Sequence, residues 1–182
     1  MEKIAENYLK QKIVRVQDFP KKGILFYDLT PIFADALDFA ELILQLQKLA
    51  EERKFEFDKI VGIEARGFII GAPLALACEV GFIPIRRCGK LPRIVHKVPH
   101  DLEYGSVCHE IHQEDVKPGE RILIVDDILA TGETARAAGE LGIDTDEPLC
   151  QPIDDPTRSL GCVLQPRIAV SLAAADPALD RI

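Results

Sequence analysis

The spacing of apolar positions changes character twice along the chain. Near the start, Ile4, Leu9, Ile13 and Val16 recur at roughly helical intervals and predict an amphipathic N-terminal helix. A turn-rich connector, Asp18-Phe19-Pro20-Lys21-Lys22-Gly23, separates it from a short apolar run, Ile24 to Tyr27. From Asp35 to Lys54 the pattern reads as a long helix, with Asp35 as N-cap and Ala36, Ala40, Ile43, Leu44 and Gln47 along one face. The texture then becomes short, near-continuous apolar runs alternating with a helical segment. Lys59 to Ile63, Phe82 to Ile85 and Arg121 to Asp126 are predicted strands; Gly67 to Val80 is a predicted helix whose small residues let it lie close against a sheet. Gly132 is expected to open a further helix. This alternation predicts an α/β domain with a central, mostly parallel sheet covered by helices. Residues 101–113 partly alternate and predict a hairpin.

The second change comes at Ile143. The last 40 residues contain five prolines, and acidic residues outnumber basic ones seven to three. Only Arg167 to Ala175 has the pattern of a strand or helix, so the tail is expected to be largely loop-like or poorly ordered. There is no internal repeat and no linker, so residues 1–182 are read as one domain with a core over 35–142 and an atypical tail over 143–182.

Composition narrows the function classes. A formal charge of -8 argues against a general nucleic-acid or membrane-surface binder, both of which need a cationic face. No stretch approaches the ~20 apolar residues needed to cross a bilayer, and the first residues lack the apolar run of a secretory leader. The five cysteines are scattered with no C-x-x-C pair, suggesting neither a disulfide framework nor a zinc site, so a reducing, cytoplasmic setting is expected. The histidines offer H-x-x-x-H (His96, His100) and H-x-x-H (His109, His112) spacings. The first pair is assigned to a proline-containing loop, and on a strand positions i and i+3 face opposite ways, so no protein metal cage is expected.

Chemistry concentrates in Ile122 to Thr134, ILIVDDILATGET. A buried strand ends in two carboxylates, Asp126 and Asp127, followed by Ala130, Thr131, Gly132, Glu133 and Thr134 at a helix start. Open α/β sheets bind ligands at the carboxyl ends of their strands. A turn of small residues opening a helix presents N–H groups that suit a phosphate, and the carboxylates can accept hydrogen bonds from ribose hydroxyls. Together they describe a 5′-phosphoribosyl site. The bland alternative for Asp-Asp alone is a turn and helix cap; a P-loop is excluded because G-x-x-x-x-G-K-[ST] is absent.

This segment resembles the phosphoribosyl pyrophosphate (PRPP) motif of type I phosphoribosyltransferases. With DFPKKGILFYDLTPIF (18–33), VGIEARGFIIGAPLA (61–75), IPIRRCGKLP (83–92) and DLEYGSVCHEI (101–111), in order over roughly residues 1–142, the chain resembles the adenine phosphoribosyltransferase family. The resemblance implies the type I fold, a base-pocket hood within residues 1–34, and a purine-salvage enzyme making AMP and pyrophosphate from adenine and PRPP. It implies that Asp126 and Asp127 position the ribose, that residues 130–134 hold the 5′-phosphate, and that Arg66 binds pyrophosphate, as guanidinium forks suit phosphate oxygens. It further implies that Arg86, Arg87 and Lys90, read as a cationic loop around Gly89, reach pyrophosphate in the same or the partner subunit of a homodimer. Glu103 would handle the proton on adenine N7, Tyr104 would help a mobile loop close, and Leu25, Phe26 and Ile128 would form the adenine pocket. Magnesium (Mg2+) is implied as the cofactor, carried by PRPP and held mainly by its oxygens and water.

Three features depart from the family pattern. Glu133 replaces the second glycine of A-T-G-G-T, placing a carboxylate beside the 5′-phosphate and implying weaker PRPP binding. Tyr27 stands where many relatives carry arginine. The apolar strand that follows the phosphate-loop helix in the family is not found after Leu141, through divergence or through an altered reading frame or splice form. Two other readings stay open: transfer to a different base, and a PRPP- or nucleotide-binding relative without turnover.

Overall fold

The computed structural model describes residues 8–102, 105–117, 119–127, 151–152, 162–164 and 167–171. They fall into two compact units, Met1–Lys54 and Phe55–Ile182.

In the first unit residues 8–12 are helical, but the predicted N-terminal helix does not reach Val16. Val14–Gln17 forms strand β1, paired antiparallel with β2 (Leu25–Asp28) in the register Val16↔Phe26. The β-branched Val14 and Val16 suit a strand, and the partner needed to satisfy its backbone comes from a segment distant in sequence. The connector turns tightly: Asp18 has φ 61° and its carboxylate accepts a hydrogen bond from the Gly23 N–H at 2.6 Å. Helix α1 (Thr30–Ala34) starts with proline in its first turn, where a missing N–H costs nothing. Helix α2 (Ala36–Glu52) is capped as expected: the Asp35 carboxylate accepts from Asp38 N at 3.0 Å and Leu37 N at 2.9 Å. Those two donors hold the Asp35 carboxyl below the usual carboxylate range. The buried face of α2 is Asp38, Leu42, Ile43, Leu46 and Ala50, which corrects the predicted stripe. Ala36, Ala40 and Leu44 are exposed, and the helix is rotated so that Asp38 lies inside, paired with Lys12 at 3.0 Å.

The second unit is built on an eight-stranded sheet in the order β5-β6-β4-β3-β7-β10-β9-β8. Its centre is parallel: β3 (Lys59–Ile63) lies between β4 (Gly81–Arg87) and β7 (Ile122–Asp126). Val61, Ile63, Ile83, Ile85, Ile111, Ile122 and Ile124 form one buried cluster. The intervening residues Ile60, Leu123 and Val125 are equally buried, so the strands are apolar on both faces, which is why they read as continuous runs.

Helix α3 (Arg66–Ala77) packs on β3, β4 and β7. Its closeness is a glycine effect. A Cβ on Gly67 would come within 2.6 Å of the Val125 carbonyl oxygen, and one on Gly62 within 2.7 Å of the Gly67 carbonyl oxygen. Backbone meets backbone there, so neither neighbour can rotate away.

Strand β5 (Val95–Leu102) and β6 (Gly105–His112) form the expected hairpin, which starts earlier than residue 101 and pairs through β6 with the end of β4. His96 and His100 therefore lie on a strand, correcting their assignment to a loop. The side chains of His109 and His112 are both buried. Cys88 and Cys108 are joined in a disulfide across the β4–β6 ladder, correcting the expectation of no disulfide. The twenty-residue gap hid a pairing that strand register creates.

Most of the tail lies outside the described residues. Strands β8 (Gln151–Pro152), β9 (Cys162–Leu164) and β10 (Arg167–Ser171) extend the sheet, and β10 runs parallel to β7 with Ile168↔Leu123 and Ser171↔Asp126 in register. The strand sought after Leu141 is thus supplied by Arg167–Ser171, the one stretch of the tail with an extended apolar pattern. It covers the edge of β7 that would otherwise be open.

Two outcomes follow. Gly67→Ala should destabilise the protein by roughly 1–3 kcal/mol, because the backbone clash outweighs the small helix-propensity gain near a helix start; urea unfolding measures it. Reduction of Cys88–Cys108 should lower the stability by up to about 3 kcal/mol for a loop of this length, read as a lower urea midpoint. A Cys108→Ser variant should start from the lower value and no longer respond to dithiothreitol.

Candidate active site

Parallel strands place their carboxyl ends along one edge, and three of them deliver charged residues there. β3 is followed by Glu64, β4 ends in Arg86 and Arg87, and β7 ends in Asp126 with Asp127 next. The Glu64–Ala65 peptide is cis. Arg66 is the first residue of α3, whose N-cap residue Ala65 makes no side-chain cap hydrogen bond.

The structure brings Arg66 and Asp127 together, with Nε 2.6 Å from Oδ2. The arginine side chain is 46% exposed and the carboxylate 2%. One partner is therefore held in the protein while the other reaches toward solvent. Asp127 Oδ1 is buried and finds no hydrogen-bond partner among the described residues. The Asp127 N–H donates to Asp126 Oδ1 at 2.9 Å, so the two carboxylates sit side by side. Burial, reinforced by the Asp127 charge and only partly offset by that N–H, pushes the Asp126 carboxyl from its ordinary 3.8 to about 7.

Arg86 and Arg87 lie at the end of a strand, which corrects the cationic-loop assignment for this pair. Glu64 organises them: its carboxylate accepts from Arg86 Nε at 3.3 Å, from Arg86 Nη2 at 3.4 Å and from the Arg87 N–H at 2.9 Å. The Arg87 N–H and then the Arg86 guanidinium hold Glu64 below the usual carboxylate range. Lys90 lies in the turn beyond, exposed, with its backbone N–H bound to Glu110 Oε1 at 2.7 Å.

Of the remaining predicted site residues, Leu25 and Phe26 lie on β2 of the first unit, where Phe26 packs edge-to-face on Phe19 at 5.2 Å between ring centroids. Glu103, Tyr104, Ile128 and the phosphate segment Ala130, Thr131, Gly132, Glu133 and Thr134 lie outside the described residues. Among the described residues no three His, Cys, Asp or Glu side chains converge as a metal cage. The sequence reading missed Glu64 and Glu110. Glu64 had a signal, a carboxylate at the end of a buried strand; Glu110 had none, because its partners lie about twenty residues away across a strand ladder.

A Phosphoribosyl transferase domain model matches residues 36–150. The adenine phosphoribosyltransferase of Halothermothrix orenii is 53% identical over 134 residues, covering 73% of this chain and 77% of its own. That of Pseudoalteromonas atlantica is 50% identical over 134 residues, covering 74% of each. Among solved structures, the Saccharomyces cerevisiae adenine phosphoribosyltransferase, complexed with an imino-altritol bisphosphate and adenine, matches with a TM-score of 0.74 and 43% identity over 76% of this chain and 80% of that one. The enzyme from Thermoanaerobacter pseudethanolicus matches with a TM-score of 0.71 and 46% identity, over 75% of this chain and 78% of that one. A mixed sheet with strand-end carboxylates and a helix-start arginine, matched in this way, is the type I phosphoribosyltransferase fold. The chain belongs to the adenine phosphoribosyltransferase family.

The raised Asp126 group has a pH consequence. Because its folded value lies above its unfolded one, its contribution to stability is fully present below about 3.8 and is lost as pH rises through about 7. Asp126→Asn should therefore be more stable than the unsubstituted protein at pH 8 and lose part of that advantage at pH 5. Parallel urea titrations at the two pH values measure the difference; equal differences at both would contradict the raised value.

Proposed function

We propose that this protein transfers the 5-phosphoribosyl group of PRPP to adenine, a purine-salvage reaction yielding AMP and pyrophosphate. The observation that carries the reading is the row of charges on one sheet edge: Asp126 and Asp127 at the end of β7, Arg66 against Asp127, and Arg86 and Arg87 at the end of β4. The yeast relative, crystallised with adenine and a bisphosphate imino-sugar, supports adenine as the acceptor.

In this reading Asp126 and Asp127 accept hydrogen bonds from the ribose hydroxyls, and residues 130–134 hold the 5′-phosphate. Arg66, Arg86, Arg87 and Lys90 bind the pyrophosphate. The bond from the anomeric carbon to the pyrophosphate oxygen breaks, and the bond from that carbon to adenine N9 forms. The electron pair leaves on pyrophosphate, where the cations stabilise it. Most of the rate enhancement is positioning and electrostatics, because the charge that develops is spread over groups already oriented. Leu25, Phe26 and Ile128 are assigned to adenine, Glu103 to the N7 proton, and Tyr104 to loop closure that excludes water.

Magnesium fits this donor set. Asp127 Oδ1 is a buried oxygen without a hydrogen-bond partner among the described residues, a hard ligand of the kind that suits the ion directly or through water. PRPP oxygens and water would mainly hold it, with Asp127 as the protein's contribution, and the ion would supply charge neutralisation to the departing pyrophosphate. The working form is taken to be a homodimer of single-domain subunits, as the family resemblance implies.

The test is pyrophosphate release by the full-length protein with magnesium and PRPP, comparing adenine, hypoxanthine, guanine and no base. Adenine-dependent release is expected, with the other bases at least about tenfold slower, the lower end of the cost of leaving one buried polar group unmatched. Release with a different base would reassign the acceptor. PRPP binding without release would favour a binding relative, for which Glu133 in the phosphate segment is the specific motive.

A further inference from the structure

Glu110 lies on β6 and is 1% exposed, the least exposed of the charged residues among those described. Carboxylates are rarely buried so deeply without a task, because desolvating the charge is costly and an apolar side chain would fill the space at lower cost. Its partners show what the charge does. Oε1 accepts from the Lys90 N–H at 2.7 Å and from the Leu91 N–H at 2.8 Å, and Lys97 Nζ lies 3.8 Å from Oε2. Burial pulls the Glu110 carboxyl up, but the backbone donors of Gly89, Leu91 and Lys90, with the Lys97 charge, outweigh it, so the group stays ionised at neutral pH.

These donors all belong to the turn that follows β4. The chain leaves the sheet edge at Arg87, reverses through Gly89 at φ 86°, and presents Lys90 outward. Glu64 holds the near end of this cationic segment through Arg86 and the Arg87 N–H. Glu110 holds the far end through the backbone on which Lys90 is carried. The register Arg86↔Glu110 of the β4–β6 ladder puts the carboxylate in reach.

We propose that Glu110 is a positioning residue: by accepting the Lys90 and Leu91 N–H groups it fixes the Gly89–Leu91 turn and so aims the Lys90 ammonium at the pyrophosphate of PRPP. The inference rests on the phosphoribosyl-transfer reading above for the identity of the ligand. An ammonium on a flexible stem gains little from a distant anion unless its backbone is held, since the entropy of ordering the stem and turn would otherwise be lost on binding. The carboxylate touches no substrate and acts only through the turn.

The experiment is calorimetric binding of magnesium pyrophosphate, which needs no turnover, alongside steady-state KM values for PRPP and adenine. The variants are Lys90→Ala, Glu110→Ala, their combination, and Glu110→Gln. Lys90→Ala and Glu110→Ala should each weaken pyrophosphate and raise the PRPP KM by about tenfold, with the adenine KM within about twofold. The combination should bind no worse than about twofold below Lys90→Ala, because both changes remove the same contact. Glu110→Gln keeps an oxygen that accepts the same two N–H groups and should remain within about threefold of the unsubstituted protein. Should Glu110→Ala fail to fold, Glu110→Asp, which keeps the charge but withdraws the acceptor, replaces it in the comparison. Additive losses, a Gln variant as weak as the Ala variant, or parallel changes in both KM values would overturn the proposal. Absence of adenine-dependent release by the unsubstituted protein would instead remove the transfer reading, and the pyrophosphate titrations would still report on Glu110.

Discussion

The close approach of helix α3 to the middle of the sheet is the constraint on which the site depends. Gly62 and Gly67 bring backbone against backbone, and Gly67 also touches the Val125 carbonyl at the end of β7. A side chain at either position would push the helix start outward. Arg66 stands one residue from Gly67, so the same displacement would carry its guanidinium away from Asp127. The packing of two glycines therefore sets an electrostatic contact, although neither glycine carries a functional group. The helix N-terminus and the carboxylates of β7 can meet only because nothing lies between them.

Around that contact the sheet edge carries alternating charge. Asp127 faces Arg66, Glu64 faces Arg86, and Glu110 faces the turn bearing Lys90. In each case the carboxylate is the more buried partner and the cation reaches outward. This ordering suits a site for a polyanionic ligand. The anions are already committed to the protein, while the cations are oriented and half-exposed, so an incoming phosphate meets positive groups whose ordering cost was met on folding. Asp126 is the exception. It lies beside another carboxylate, and burial outweighs what the Asp127 N–H and the Arg66 charge offset, so its proton is retained to near neutrality. A group in that state responds to any ligand that brings cations or hydroxyl donors.

The hairpin and the tail show how non-local pairing completes this frame. β6 gives β4 an antiparallel neighbour, a disulfide and the Glu110 acceptor, all from residues about twenty positions away. At the opposite side, β10 gives β7 its second parallel neighbour from more than forty residues further along the chain. β7 is thus paired on both sides up to Val125, and on the β10 side up to Asp126, which restrains the strand end that carries the paired carboxylates.

Much of this was legible in the residues themselves. The three central parallel strands, the Asp35 cap and the small-residue helix are local patterns: apolar runs, a capping side chain, and glycines where a Cβ would not fit. The chemical signature of Asp126 and Asp127, and the arginine at a strand-to-helix junction, are local too, and with the ordered segments around them they were enough to indicate the family. What tertiary structure alone decided is pairing across distance. Val16 became strand because Phe26 lies opposite it, α2 turned to bury Asp38 because Lys12 was there to meet it, and a proline-rich tail supplied a strand because β7 had an open edge. Cys88 met Cys108, and Glu110 met Lys90, through strand register, which a one-residue slip would have abolished. Local conformation follows from each residue's own sterics and capping. Partners are chosen by the free energy of the whole sheet, and no short segment contains that sum.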